Sequence, residues 1–163
     1  MRAAEPVRLL VLDVDGVLTD GRLYFGPRGE ALKAFHVRDG FGLVQLRRAG
    51  VEVAVISGRR SGAVSARCRE LKLRHLHQGA SDKLAVLKGL CARLHLAPRD
   101  CACVGDDLPD IPLMRAVRLS FAVADAHPQV RRAADVVTRA AGGRGAVREV
   151  CDLLLARRAR RAR

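Results

Sequence analysis

The sequence predicts an α/β fold of the Rossmann-like, doubly wound type: a mainly parallel sheet with helices on both faces. Short apolar segments of strand length alternate with segments in which apolar residues recur at helical spacing. Polar residues follow several predicted strands, at the edge where open parallel sheets place their ligands. No linker interrupts the 163 residues, so a single domain over residues 1–163 is expected.

The first predicted strand is the segment around which the others are arranged. Residues 7–14 are an apolar run of branched side chains, which is typical of a strand buried on both faces. Asp13 and Asp15 end this strand on the same face, because side chains alternate along a strand. Two neighbouring carboxylates that lose hydration call for a cation, although a solvated acidic loop is the simpler interpretation of these two residues alone.

The other elements follow in chain order. Residues 26–29 read Gly-Pro-Arg-Gly, a strong turn signal that predicts a β-hairpin over about residues 21–37. Asp39 is predicted to cap a helix over about residues 40–48, with Phe41 among its core contacts. The remaining elements are strands at about 51–57, 74–77, 101–104, 119–123 and 135–138, and helices that start at Ser61, after a Ser81 cap, and at about 109, 128 and 146.

Charge and composition limit the partners. The formal net charge is +13, and part of it lies in an arginine-rich tail at about residues 157–163. Such a charge suits nucleic acid, anionic lipid or phosphorylated metabolites, and a solvated terminus is the simpler alternative. Aromatic residues make up only 3% of the chain and no zinc-finger or RNA-binding signature occurs, which disfavours a nucleic-acid partner.

The cysteines and the hydropathy pattern predict a cytoplasmic protein. The five cysteines are odd in number and lack CxxC spacing, as expected for reduced, buried thiols. The first residues form no hydrophobic leader, and no stretch has the length of a membrane span, so no membrane partner is expected.

Four groups of residues suit phosphoryl chemistry. In chain order they are Asp13 with Asp15, Ser57 with Gly58, Lys83, and Asp106 with Asp107. Phosphoryl transfer needs a nucleophile, groups that neutralise charge and a proton donor for the leaving oxygen. Singly, each residue has an ordinary alternative as a helix cap or a solvated side chain. Their joint occurrence at predicted strand and helix ends favours the catalytic interpretation.

The sequence resembles the haloacid dehalogenase superfamily of aspartyl phosphatases, and within it the 3-deoxy-D-manno-octulosonate 8-phosphate phosphatase family. The superfamily motifs are matched by DVDGVLTDG (13–21), ISGR (56–59), Lys83 and GDDLPD (105–110). The stretches specific to the family are KAFHVRDGFG (33–42), AVADAHP (122–128) and GGRGAVREVCDLLL (142–155). The resemblance covers about residues 7–155, nearly the whole chain.

The resemblance implies a Mg²⁺ site and a divided role for the first two aspartates. Asp13, the backbone carbonyl of Asp15 and Asp106 would hold the ion, whose preferred ligands are oxygens. Asp13 would be the nucleophile that forms an aspartyl-phosphate. Asp15 would protonate the leaving alcohol and later take a proton from water.

The resemblance also implies roles for the later motifs. Ser57 and the N–H of Gly58 would hold phosphoryl oxygens, and Lys83 would offset their charge and orient the nucleophile. Asp107 and Asp110 would act from outside the reacting groups, by orienting waters and the lysine. Which of these two aspartates contributes more is open.

Arginines are the predicted ligands of the rest of the substrate. Arg59 and Arg67 are candidates for a substrate carboxylate, because an arginine fork binds a carboxylate at two points. Arg38, Arg60 and Lys33 are further candidates, and an ordinary exposed basic side chain is the alternative for each.

No cap domain is expected, because the hairpin and one helix fill the chain between the first two sheet strands. The resemblance implies a homotetramer, in which a neighbour's hairpin and tail cover the open site. Leu23, Phe25, Phe35 and Val37 would be costly to expose, so the hairpin is predicted to be an interface, with packing on its own domain as the alternative. Residues 142–145 (GGRG) look like a hinge that lets the tail reach a site, or a plain linker.

The expected function is Mg²⁺-dependent hydrolysis of 3-deoxy-D-manno-octulosonate 8-phosphate to the free sugar acid and phosphate, in the supply of a lipopolysaccharide precursor. Residues 81–83 also resemble the phosphatase-like domain of sialic-acid-activating enzymes. That keeps sialic-acid-like 9-phosphates, or a broader range of sugar phosphates, as alternative substrates. A basic nucleic-acid-binding module is the non-enzymatic alternative.

Overall fold

A six-stranded sheet forms the centre of the computed structural model, which describes residues 6–160 of the chain. The strands are β1 (Leu9–Leu12), β2 (Tyr24–Gly26), β3 (Gly29–Leu32), β4 (Glu52–Ser57), β5 (His75–Gln78), β6 (Cys101–Gly105), β7 (Leu119–Ala122) and β8 (Val136–Val137). The order in the sheet is β5-β4-β1-β6-β7-β8, and all neighbours are parallel. β2 and β3 form a separate antiparallel hairpin. The predicted sheet and hairpin are confirmed, and residues 161–163 of the predicted tail lie outside the described residues.

Helices cover both faces of this sheet. Within residues 6–160 they are α1 (Val37–Arg48), α2 (Gly62–Glu70), α3 (Lys83–Leu94), α4 (Ile111–Ala116), α5 (Pro128–Ala133) and α6 (Ala146–Ala159). Right-handed connections place α1 and α2 on one face and α3, α4 and α5 on the other, because the direction of winding reverses after β5. α6 returns to pack along α1. Between β1 and β4 this described chain holds only the hairpin and α1, so no cap domain is inserted there.

β1 is buried along its whole length, since it lies in the middle of the sheet beneath helices on both faces. Its residues read Leu-Leu-Val-Leu, and none is more than 2% exposed. The wider core is mainly aliphatic, and Phe121 is its largest fully buried side chain. Burial of one such side chain is worth about 1.5–3 kcal/mol. β1 is therefore a rigid support for the acidic turn that follows it.

The carboxyl ends of β1 and β6 form the crevice of the sheet. From β1 the chain winds toward β5 at one edge, then crosses to β6 and winds toward β8 at the other. The connections that leave β1 and β6 diverge to opposite faces and leave an opening between them. Asp13 follows β1 and Asp106 follows β6, so the topology itself brings these two aspartates together.

Helix α1 begins earlier than predicted, and Asp39 is not its cap. His36 is the N-cap, and its Nδ1 accepts the N–H of Arg38 at 3.2 Å. Asp39 is buried, and its Oδ1 accepts the N–H of Arg148, in the first turn of α6, at 2.8 Å. Because Gly145, the N-cap of α6, has no side chain, Asp39 of α1 supplies the missing acceptor.

Helix α3 begins one position later than a Ser81 cap would place it. Asp82 is the N-cap, and its Oδ1 accepts the N–H of Ala85 at 2.9 Å. This cap makes Lys83 the first residue of the helix. Its side chain lies at the same edge of the sheet as the acidic turns after β1 and β6.

The glycine-rich segment before α6 is packed rather than hinged. The N–H of Gly143, whose φ is +66°, donates to the carbonyl of Val17 at 3.0 Å. A Cβ on Gly142 would lie 1.7 Å from the carbonyl oxygen of Gly16, so no larger residue fits against this turn. Residues 142–143 therefore lie directly against the turn that follows the catalytic aspartate candidates.

Large apolar side chains are exposed on the hairpin and at the start of α1. Phe25 is 63% exposed, Leu32 52%, Val37 77% and Phe41 53%. The predicted core contact of Phe41 is therefore wrong, because α1 turns this residue away from the sheet. Phe35, by contrast, packs partly against the core.

Within residues 6–160, no helix combines the length and the apolar character needed to cross a membrane. All five cysteines are buried and free of disulfide bonds.

Candidate active site

A cleft of about 860 Å³ lies at the carboxyl edge of the sheet. This volume is within the range of small-molecule sites. The predicted site residues that line it are Asp13, Asp15, Ser57, Gly58, Arg59, Lys83, Asp106, Asp107 and Asp110. Residues from the ends of three strands and from the start of α3 thus meet at one place, as open parallel sheets require of a ligand site.

Asp13 is held by a backbone amide and a lysine. Its Oδ1 accepts the N–H of Val14 at 2.7 Å and lies 3.0 Å from Nζ of Lys83. Lys83 is 9% exposed, and its Nζ also donates to Oδ1 of Asp110 at 2.7 Å. The lysine thus joins α3 to both acidic turns and fixes the orientation of Asp13.

Asp110 and Asp107 differ in what they contact. The second oxygen of Asp110 accepts the N–H groups of Asp106 and Asp107 at 3.0 and 3.3 Å. Asp107 is exposed at the rim, where its Oδ1 accepts the N–H of Leu108 at 2.8 Å and caps a short 3₁₀ turn. Asp110 is therefore the residue that orients Lys83 and shapes the acidic turn.

The cleft concentrates charge where water is scarce. Burial, followed by the charge of Asp110, raises the pKa of Asp13 to about 6. Burial, followed by the charge of Asp13, raises the pKa of Asp106 to about 8. Burial lowers the pKa of Lys83, but Asp13 and Asp110 outweigh it, so the net pKa is raised and the lysine is charged. The single positive charge of Lys83 does not balance the three carboxyl groups of Asp13, Asp106 and Asp110.

The donor set fits a hard divalent cation. Carboxylate oxygens of Asp13, Asp106 and Asp110 lie within 4.8 Å of one another. Oδ1 of Asp106 is buried and has no hydrogen-bond partner among the described residues. Both oxygens of Asp110 are already used by Lys83 and by backbone amides. Asp13 and Asp106 are thus the side chains that fit as ligands, and their all-oxygen chemistry suits Mg²⁺.

Gly16 makes the approach of Asp106 possible. Its φ is +86°, and a Cβ on this residue would lie 1.9 Å from Oδ2 of Asp106. The glycine after the two aspartates of the first motif is therefore a packing requirement of the site, in addition to a turn residue.

Ser57 and Gly58 end β4 beside Asp13. Ser57 is 3% exposed, and its Oγ accepts the N–H of Arg59 at 3.3 Å. Gly58 lines the cleft next to it. A hydroxyl and backbone N–H groups at this edge are suited to phosphoryl oxygens.

Asp15 lies between two basic side chains. Its Oδ1 is 2.5 Å from Nζ of Lys33, and its Oδ2 is 3.8 Å from Nε of Arg59. Lys33, which the sequence suggested as a substrate ligand, has a side chain only 1% exposed and also lies 3.1 Å from Oε2 of Glu30. Glu30 was not predicted. The only signal in the sequence was the position of Lys33 at the start of KAFHVRDGFG.

Arg67 does not lie in the cleft, so its prediction as a substrate ligand is not supported. Its Nη1 is 2.8 Å from Oε2 of Glu70, and its guanidinium is 5.8 Å from the centroid of the Phe35 ring. The reason is its position on the face of α2 that meets α1, against Gly40. The further candidates Arg38 and Arg60 also lie outside the cleft lining.

Comparisons of sequence place the chain among phosphatases. The family model of haloacid dehalogenase-like hydrolases matches residues 74–149. The 3-deoxy-D-manno-octulosonate 8-phosphate phosphatase KdsC of Escherichia coli (strain K12) is 57% identical over 152 residues, which are 93% of this chain and 81% of that protein. The KdsC of Yersinia pestis is 52% identical over 155 residues, or 95% and 83% of the two chains.

Solved structures agree with this result. The crystal structure of the 3-deoxy-D-manno-octulosonate 8-phosphate phosphatase from Yersinia pestis has a TM-score of 0.90 at 53% identity, and the match covers 92% of this chain and 81% of that one. The phosphatase from Moraxella catarrhalis, solved with magnesium ion, phosphate ion and KDO, has a TM-score of 0.89 at 42% identity, with 92% and 86% covered.

Proposed function

Because this chain belongs to the 3-deoxy-D-manno-octulosonate 8-phosphate phosphatase family of haloacid dehalogenase-like hydrolases, we propose that it hydrolyses 3-deoxy-D-manno-octulosonate 8-phosphate to the free sugar acid and phosphate. The observation that carries the proposal is the contact of Asp13 with Lys83 beside Oδ1 of Asp106, which is buried and has no hydrogen-bond partner within residues 6–160. The predicted family resemblance is confirmed. The alternatives of a sialic-acid-like substrate and of a nucleic-acid-binding module are not favoured.

Asp13 is proposed as the nucleophile. None of the described residues donates to its Oδ2, whereas Oδ1 is held by Lys83 and by the N–H of Val14. One carboxylate oxygen is thus fixed while the carboxylate faces the cleft. Attack on phosphorus breaks the bond to the leaving alcohol oxygen and forms an aspartyl-phosphate.

Asp13 and Asp106 are proposed to hold Mg²⁺ through their side chains, together with the backbone carbonyl of Asp15. Burial and the charge of neighbouring carboxylates raise the pKa of both side chains, and a bound cation would offset both effects. When bound, the ion supplies positive charge that binds and polarises phosphoryl oxygens. The Moraxella catarrhalis relative was solved with a magnesium ion.

Ser57, Gly58 and Lys83 are proposed to bind the phosphoryl oxygens. Ser57 and Gly58 present a hydroxyl and a backbone N–H at the end of β4, and Lys83 supplies a charge that Asp110 keeps in place. These groups stabilise the charge on the transferring phosphoryl group because they are already oriented before the substrate arrives.

Asp15 is proposed as the general acid and base, and Arg59 as a substrate ligand. Asp15 lines the same cleft as Asp13 and can serve the leaving alcohol. Arg59 is 44% exposed in its side chain at the mouth of the cleft, where it can meet the substrate carboxylate.

The hairpin is proposed as the interface of a homotetramer of this single-domain chain. The exposed apolar residues Phe25, Leu32 and Val37 would become buried between copies. The family resemblance supplies the number of four subunits. The buried, unpaired cysteines support a reducing compartment, and we place the protein in the cytoplasm.

The substrate proposal is tested by kinetics with purified protein and Mg²⁺. We expect kcat/KM for 3-deoxy-D-manno-octulosonate 8-phosphate to exceed that for a sialic-acid-type 9-phosphate by about 100-fold or more. Equal or reversed values would overturn the assignment of the eight-carbon substrate while leaving the phosphatase mechanism standing.

A further inference from the structure

Lys33 occupies a buried position that no substrate-binding role explains. Its side chain is 1% exposed, so it does not face the open part of the cleft. Its Nζ lies 2.5 Å from Oδ1 of Asp15 and 3.1 Å from Oε2 of Glu30. An ammonium group removed from water in this way is stable only when carboxylates surround it, as these two do.

The position of Lys33 is itself fixed by the hairpin. Lys33 directly follows β3, and Glu30 lies within that strand. Glu30 accepts a hydrogen bond from Oγ of Ser61, the N-cap of α2, and this hydrogen bond and the lysine lower its pKa. The chain of contacts Ser61–Glu30–Lys33–Asp15 therefore links the core-packed start of α2 to the cleft.

The two oxygens of Asp15 are in different surroundings. Oδ1 is in close contact with the buried Lys33. Oδ2 lies 3.8 Å from Nε of Arg59, a residue that lines the cleft and whose side chain is 44% exposed. A proton that passes between Asp15 and the substrate has a direct route only through Oδ2.

We propose that Lys33 is a positioning residue of the reaction: it holds Oδ1 of Asp15, so that Oδ2 carries the proton to and from the substrate. This inference rests on the proposed phosphatase function. It assigns to a hairpin residue of the same chain a part in catalysis through Asp15.

Asp15 acts as an acid in the first half-reaction and as a base in the second. Oδ2–H of Asp15 gives its proton to the ester oxygen while the P–O bond breaks and the bond from Asp13 to phosphorus forms. The carboxylate left on Asp15 is stabilised by the ammonium of Lys33 beside Oδ1. Oδ2 then takes a proton from the water whose oxygen attacks phosphorus, and Asp13 and phosphate are released.

The test uses two substrates that differ in their need for a proton. The sugar 8-phosphate releases an alkoxide, which must be protonated, whereas p-nitrophenyl phosphate releases a stable phenolate. For Lys33→Met we expect kcat on the sugar phosphate to fall about 100-fold, and kcat on the aryl phosphate to fall less than about 10-fold. Lys33→Arg restores part of the loss on the sugar phosphate, because it returns the positive charge.

Two further variants control the experiment. Lys88→Met removes an exposed positive charge from α3, outside both the hairpin and the cleft lining, and is expected to keep the wild-type ratio of the two rates. Glu30→Gln retains the lysine but removes one of its partners, and shifts the ratio in the same direction as Lys33→Met. Thermal unfolding shows whether Lys33→Met is folded. If it is not, Glu30→Gln still tests the proposal.

The outcomes separate the two proposals. Equal losses on both substrates, or no loss on either, would overturn the role of Lys33 while the phosphatase function stands. Wild-type protein that hydrolyses neither substrate with Mg²⁺ would overturn the proposed function itself.

Discussion

The cleft buries ionic side chains, which usually lie at the surface, whereas the hairpin exposes apolar side chains, which usually lie in the core. In the cleft, ionic side chains such as Lys83 and Asp110 are nearly inaccessible, and Oδ1 of Asp106 is buried without a partner among the described residues. On the hairpin, Phe25 and Leu32 are more than half exposed. Under the proposals above, a cation and a phosphoryl group bind in the cleft, and an apolar surface of a second copy covers the hairpin. Departures from ordinary burial therefore indicate what each region binds.

The largest expected effect comes from removing the proposed nucleophile in the cleft. Asp13→Asn should lower turnover by at least about 10,000-fold, since an amide cannot form the acyl phosphate. The fold should persist, because the substitution also relieves repulsion with Asp106. Steady-state kinetics with circular dichroism measure both effects. Substantial Mg²⁺-dependent turnover by this variant would contradict the assignment of Asp13, and its oligomeric state should match that of the wild type.

The hairpin is tested by making it polar without touching the cleft. Phe25→Ser combined with Leu32→Ser should shift the protein toward monomers, because the apolar area that drives association is reduced. Loss of the two side chains from an interface costs about 3–6 kcal/mol if both are fully buried there. Sedimentation velocity measures the change in mass. Lys88→Ser, at an exposed position of α3 outside the hairpin, serves as the control. Unchanged assembly of the double variant would contradict the proposed interface.

The smallest expected effect concerns Asp39, a buried carboxylate outside the cleft, and its contribution to the free energy of unfolding. Burial raises the pKa of Asp39, although its Oδ1 accepts the N–H of Arg148. The folded protein therefore binds this proton more tightly than the unfolded chain does. The free energy of unfolding should fall as the pH rises from the ordinary aspartate pKa near about 4 through the raised value.

Asp39→Asn removes this pH dependence while it keeps a carbonyl acceptor for Arg148. We expect the variant to unfold with about 1 kcal/mol more free energy than the wild type at about pH 7, and with no difference at about pH 3. Denaturant titrations at the two pH values measure it. A difference that does not change with pH would show that the hydrogen bond, rather than the desolvated charge, governs this position.

Sequence patterns predicted the sheet and the cleft because strand ends converge by topology. Asp13 and Asp106 follow neighbouring parallel strands, so their proximity requires only the correct strand order. The sequence did not place Arg67 correctly relative to the cleft. The face of α2 that this residue occupies depends on packing against α1, which the local pattern does not specify. The prediction of Asp39 as a helix cap was wrong for the same reason, because Asp39 accepts the N–H of Arg148 from a helix that lies far along the chain.

The pairing of Lys33 with Asp15 was beyond sequence reasoning for a related reason. It depends on how the hairpin folds back over the turn after β1, and the hairpin has no periodic pattern that sets its orientation. The packing of Gly142 on Gly16 was equally hard to predict, because the two glycines are far apart in sequence and only the folded chain leaves no room for a methyl group between them.

The contact of residues 142–143 with the turn after β1 has a consequence for synthesis of the protein. The ribosome makes Asp13 and Asp15 near the beginning of the chain, but the residues that complete the packing of their turn are made near the end. Contacts between segments so distant in sequence form late, since the intervening chain must first be ordered. A nascent chain that stops before Gly142 therefore carries Asp13 and Asp15 on a turn whose packing is incomplete, and the proposed site is fully packed only after residues 142–143 have been made.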